Sequence, residues 1–183
     1  MFANFFNSFD RWASRRVWFF YLPLFLVMLF LFYQMVGNEG HMSLFSGINL
    51  GIHEMGHLLV CFHEGTFCSA GGSLLQIFAP VLSVFILLRG SEFFGVPFCG
   101  LWLASNFYEI SVYMADARAM DLPLVSVGGG DVAHDWNVIF GNLGLLSFDQ
   151  FVAHTIEFLA FLLAASAIFL YAYMLYRMRK LSL

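Results

Sequence analysis

From Val17 to Val36 the chain runs for twenty residues without a charged side chain. A stretch of that length and character can cross the hydrocarbon core of a bilayer. Inside lipid every backbone N–H and C=O must find a partner within the protein, which leaves only helices and closed barrels. The apolar residues here come in continuous runs rather than in alternation, so helices are expected. Similar runs occupy 43–61, 73–88, 93–113 and 151–176. Hydrophobic residues make up 61% of the chain and charged residues 11%, against roughly 25% charge in a soluble domain. The expectation is an all-α integral membrane protein, one membrane domain over 1–183 with five transmembrane helices. Trp136 to Phe148 is apolar but short, and is expected to be a sixth, short or re-entrant helix. Residues 1–16 place Phe2, Phe5, Phe6, Phe9 and Trp12 at helical spacing against polar neighbours, the pattern of an amphipathic helix at the membrane interface. No small-residue cleavage site follows the first apolar run, so a retained anchor is expected.

The second run contains His53-Glu54-Met55-Gly56-His57, an H-E-x-x-H sequence. Residues four apart share a helix face, so both imidazoles can hold one metal ion, with Glu54 one step round as the general base. Zinc is the expected ion, with three protein ligands and a fourth position for water. Ionisable groups inside a membrane helix cost about 2.5 kcal/mol or more each, and are read as functional by default. Ser43, Gly47 and Gly51 recur every four residues, a spacing that lets another helix come close.

A third ligand must come from elsewhere. His134 and Asp135 stand just before the short 136–148 segment, after a glycine-rich stretch (Gly128-Gly129-Gly130) that can fold back. Asp116 is the rival. It ends a polar stripe of Asn106, Glu109, Tyr113 and Asp116 along the fourth run. Whichever of these does not bind metal can orient a ligand. Asn106 and Gln76 are candidate substrate-binding groups, and each is also the kind of residue that glues helices together. Pro80 frees a carbonyl near Gln76. Residues 62–72 read as a loop, Gly141 and Gly144 as close-packing positions, and Asp149, His154 and Glu157 as interfacial.

The net charge of −4 with no basic run argues against nucleic acid as a partner. Partners are expected among membrane lipids and membrane proteins, as substrate or as neighbouring subunits. Cys61, Cys68 and Cys99 are odd in number and lack C-x-x-C spacing, so free thiols are expected rather than a disulfide or a Cys61–His63–Cys68 metal cluster. With five spans, Arg11, Arg15, Arg16 and Arg118 fall on the side of the metal motif, and Arg89, Arg177, Arg179 and Lys180 on the other, a tie under the positive-inside rule. If 136–148 also crosses, both basic termini share the site side, which then faces the cytoplasm. The expected placement is a bacterial inner membrane with the N-terminus, and the site with it, cytoplasmic.

Gly51 to His57 resembles the site-2-protease-like group of membrane metalloproteases, the M50-type peptidases, and especially their small bacterial members with a late His-Asp-Trp. The resemblance extends loosely to Gly71-Gly72-Ser73 with Gln76 and Pro80, and to Asn106 through Ala117. It implies zinc held on one membrane helix with a third ligand from a later one. The family's usual N-x-x-P-x-x-x-L-D-G motif is absent, Asn142 to Asp149 echoing it without the Pro or Gly, and no PDZ-like domain is inserted. An intramembrane zinc peptidase is therefore one expectation. A second is a non-catalytic subunit of a larger membrane assembly, since 24 phenylalanines suit packing against lipid or partner helices. A third, a di-iron oxygenase, would need more histidines than the six present.

Overall fold

The computed structural model describes residues 2–37, 44–61, 65–124 and 133–182. All regular structure in them is helical. In chain order the helices are α1 (Phe2–Ala13), α2 (Leu22–Gly37), α3 (Ser46–Val60), α4 (Thr66–Arg89), α5 (Gly95–Ala115), α6 (Asp135–Leu143) and α7 (Asp149–Leu181). Short 3-10 turns, Trp18–Tyr21 and Leu146–Phe148, lead into α2 and α7.

Three helical stretches are long and apolar enough to cross a membrane: Trp18–Gly37, Thr66–Arg89 and Leu146–Leu181. The expected five are not reached by that measure. The 15 residues of α3 rise only about 22 Å, at 1.5 Å per residue. The 21 residues of α5 suffice in length, but the helix carries the polar stripe. Its central position in the bundle explains how that stripe is tolerated. α5 packs most extensively on α7 and also contacts α4 and α2, so Asn106, Ser105 and Ser111 are buried in protein. Small residues on α7, Ala160, Ala164 and Ala167, allow the close approach.

α4 starts at Thr66, seven residues before the expected span, and continues through the buried Pro80. Gly71 and Gly72 therefore sit in a helix rather than a loop. They are contact points: a Cβ on Gly56 would lie 2.7 Å from the Gly71 carbonyl carbon and 2.8 Å from the Gly72 Cα. The small-residue approach between α3 and α4 is made here. Gly47 and Gly51, the expected contact positions, have open space where a Cβ would be, and Ser43 lies outside the described residues. Gly144, expected to pack closely, instead caps α6 in the left-handed conformation at φ 69°, which glycine adopts without steric cost; a Cβ on Gly141 would make an ordinary 3.5 Å contact with Leu146.

The amphipathic N-terminal helix is present, but its apolar face meets protein. Phe9 is fully buried, edge-on to Phe93 and Phe94. Phe6 packs edge-on to Tyr173 near the end of α7. The Asp10 carboxylate takes two hydrogen bonds of 2.6 Å from Arg177. Tyr21 stacks on Phe94 at 4.4 Å, and its carbonyl accepts from the Tyr171 hydroxyl. α1, the start of α2, the α4–α5 corner and the end of α7 thus gather at one end of the bundle.

The opposite end holds the α3–α4 junction, the end of α5, α6 and the start of α7. Gln150 reaches the Ala115 carbonyl at 2.6 Å, and Arg118 binds the fully buried Asp149 at 2.6 Å. Asp149, expected at the interface, is a core group, whereas His154 and Glu157 form an exposed pair. The H-E-x-x-H residues lie toward this second end, away from the N-terminus. The expected placement of N-terminus and motif on one side is corrected by the direction of α3. Phe45 packs on Phe98 and Trp102, Asn49 meets Trp102 and Glu109, and His53 meets Tyr113, so α3 runs in the same direction as α5 and carries the motif to the second end.

Cys61 and Cys68 form a disulfide that ties the end of α3 to the first turn of α4. The expected free thiols are thus corrected for this pair. Their Cα atoms lie 4.5 Å apart, within the range a disulfide spans. Cys99 is free and buried. His63 lies outside the described residues.

Candidate metal centre

On α3 the residues Ser46, Asn49, His53, Gly56 and His57 recur at intervals of three and four, so they form one face. Gly56 lets that face lie against α4, and Gly72 lets the His53 ring lie flat on the α4 backbone. Asp135, the first residue of α6, closes the group from above. Its Oδ2 lies 3.1 Å from Nε2 of His53 and 3.1 Å from Nε2 of His57. The three ligand atoms fall within 4.8 Å of one another. A tetrahedral zinc with bonds of about 2.0–2.2 Å would set its ligand atoms ~3.3 Å apart, close to the two 3.1 Å distances to Asp135.

The hydrogen bonds around this group fix which ring nitrogens face inward. Trp102 donates to Asn49 Oδ1 at 2.7 Å, which turns the Asn49 amide NH2 toward Glu109 at 2.8 Å. Ser46 donates to the same carboxylate at 2.8 Å, and Gln76 Nε2 donates at 3.3 Å. With its NH2 directed at Glu109, Gln76 presents Oε1 to His53 Nδ1 at 3.1 Å. A carbonyl oxygen only accepts, so His53 Nδ1 carries the proton and Nε2 holds the lone pair. The same reasoning applies to His57, whose Nδ1 donates to the Cys68 carbonyl at 3.0 Å. Two imidazole lone pairs and one carboxylate oxygen therefore converge with no hydrogen between them. Such a set can hold one metal ion. Nitrogen and oxygen donors with Nδ1–H anchored to carbonyls are the pattern of metal-binding histidines.

Of the candidates for third ligand, the geometry selects Asp135. His134 is the N-cap of α6, accepting from the Asn137 amide at 3.2 Å, and its Nε2 faces Asp116 at 3.2 Å. Asp116 also accepts from the amides of Asp121 and Leu122, so it shapes the turn after α5. His134 and Asp116 are brought together with each other, not with the two motif histidines. His134 lies over the Tyr113 ring at 4.3 Å, and the Tyr113 hydroxyl accepts from the Asp135 amide at 3.1 Å. These contacts position Asp135, and the helix N-terminus favours its negative charge.

Glu54 is half-buried, and its charge acts on both His57 and Tyr113. Among the described residues it makes no hydrogen bond or ion pair, so its carboxylate is free to turn toward the centre. Of the two expected substrate-binding groups, one is fully used within the site and the other only in part. Gln76 is committed to His53 and Glu109. Asn106 is fully buried and donates its NH2 to the Trp102 carbonyl of its own helix, while its Oδ1 has no hydrogen-bond partner among the described residues. A cavity of about 140 Å³ lies between α4, α5, α6 and α7, walled by apolar atoms of Ser73, Ile77, Ile110, Met114 and Trp136. Sequence reasoning missed Ser46, Asn49, Trp102 and the Cys68 carbonyl. The first two had a legible signal, since they precede His53 by seven and four residues on its own face.

The helical bundle, the candidate metal centre and the motif were compared with known proteins: no family model, no curated protein and no solved structure matches the chain.

Proposed function

We propose that this chain is an intramembrane zinc metallopeptidase of the kind its motif resembles. His53, His57 and Asp135 hold the ion, and Glu54 is the general base. The observation that carries this reading is the convergence of two Nε2 lone pairs on one Asp135 oxygen, each imidazole anchored through Nδ1–H. Zinc held there would supply a bound water made far more acidic than bulk water, to near neutral pKa. Glu54, one position along from His53, would serve as the proton acceptor for peptide hydrolysis and as the donor to the leaving amine. The 140 Å³ cavity beside Trp136 offers space for one apolar side chain of the substrate. The test uses a membrane segment tethered to a reporter and co-reconstituted with the protein. Cleavage is expected with wild type and not with Glu54→Gln, which keeps its zinc. Undiminished cleavage by Glu54→Gln would remove the role given to Glu54.

The same reading includes a topology. α2, α4, α5 and α7 cross the membrane, and α3 runs beside α5 to end on the site side. Every Lys and Arg except Arg118 then lies at the end opposite the site. By the positive-inside rule that end is cytoplasmic, with both termini, in a bacterial inner membrane. The site opens to the outer face. A disulfide between Cys61 and Cys68 fits that face, since disulfides persist in oxidising compartments. Cysteine accessibility labelling of Ser8→Cys and Asn142→Cys tests this, with opposite-side labelling expected.

A further inference from the structure

The disulfide lies one helical turn from the metal centre. Cys61 follows His57 by four residues on α3, and Cys68 enters from the first turn of α4. One ligand atom of His57 and the two sulfurs lie within 4.8 Å of one another. Cys61 is exposed and Cys68 half-buried, so an external thiol can reach the bond. As a disulfide, the pair offers a metal very little. As thiolates, two sulfurs and an imidazole form a donor set that zinc and softer ions favour.

We propose that His57, Cys61 and Cys68 form a second metal cradle that exists only when the disulfide is open, and that His57 is shared between the two cradles. The proposal rests on the metal centre above and not on peptide hydrolysis. The S–S bond accepts two electrons and two protons from an external dithiol, which departs as its own disulfide. The metal then displaces the two thiol protons. Because His57 serves both sets, one ion cannot fill both cradles. Oxidised protein keeps the ion with His53 and Asp135, beside Glu54. Reduced protein draws it toward the surface, away from the general base. The metal centre is in this way switched by the redox state of the face it opens onto.

The experiment titrates Co²⁺ into the full chain in detergent micelles, either oxidised or reduced and freed of reductant. The reduced protein is expected to show thiolate-to-cobalt charge-transfer absorption and to bind about tenfold or more tightly. The oxidised protein is expected to bind cobalt without that absorption. Asp135→Asn should weaken binding in the oxidised form and spare it in the reduced form. Cys61→Ser with Cys68→Ser should bind alike with and without reductant. Reduced protein lacking the charge-transfer absorption overturns the proposal. So does an absorption unchanged in His57→Ala, because the histidine would then not be shared. An oxidised protein that binds no cobalt, beside a reduced one that does, overturns the His53–His57–Asp135 centre and the exchange with it.

Discussion

Gly72→Ala puts the candidate metal centre under a graded steric load. A Cβ at Gly72 would lie 2.7 Å from Cε1 of His53 and closer still to Nε2 and Cδ2. Ordinary contact begins near 3.4 Å, so the ring must retreat by roughly 1 Å or α4 must move. A ligand bond of about 2.0–2.1 Å does not survive a 1 Å displacement. Loss of His53 as a ligand is expected to lower zinc affinity by more than the 10–100-fold, about 1.4–2.7 kcal/mol, that follows from losing a ligand's hydrogen-bond partner. The overpacking itself should cost about 1–3 kcal/mol of stability. Gly51→Ala is the matched control. Nothing lies within 4 Å of its Cβ, so it should leave zinc binding unchanged and stabilise the helix by about 0.5–1 kcal/mol. Zinc affinity is read by competition with a fluorescent chelator, and folding by thermal unfolding of the same samples. A folded Gly72→Ala that binds zinc as tightly as wild type would show that His53 is not held as a ligand against α4.

Gln76→Leu removes the acceptor that fixes the His53 tautomer and should weaken zinc by about 10–100-fold, while Asn106→Leu should not; equal effects in a chelator competition would discount the Glu109–Gln76–His53 chain. Zinc at a hundred times its Kd should stabilise the fold by about 2.7 kcal/mol, seen as a fall in Tm on chelation. Chelation without any change in Tm would mean that the folded chain does not bind it. Arg118→Ala leaves the buried Asp149 carboxylate without its guanidinium, so Tm should fall while zinc affinity holds. Removing Arg177 from its partly exposed pair with Asp10 should cost about 1 kcal/mol or less.

The helical, membrane-type character of the chain was legible because uncharged runs such as 17–36 leave few alternatives. The motif histidines were legible because four-residue spacing fixes a shared face whatever the tertiary fold. Asp135 was legible only as half of a pair. What separates it from His134 is that His134 is the N-cap, turned back to its own helix and to Asp116, and no one-dimensional pattern carries that. The direction of α3 was not legible. An apolar run does not say which way its helix points beside its neighbours, and α3 runs the same way as α5, which carries the motif to the end away from the N-terminus. Gly71 and Gly72 read as a loop because paired glycines break helices in water, while between packed membrane helices they allow contact. The face of α1 showed amphipathicity but not its partner, since lipid and a cluster of Phe93, Phe94 and Tyr173 present similar apolar surfaces.

Metal content of the purified chain tests the centre most directly, measured for wild type beside His57→Ala and Asp135→Asn. About one zinc ion per chain is expected in wild type, and little in either variant. A wild type without metal that also takes up none on addition, or variants that retain it in full, would contradict a centre built from His53, His57 and Asp135.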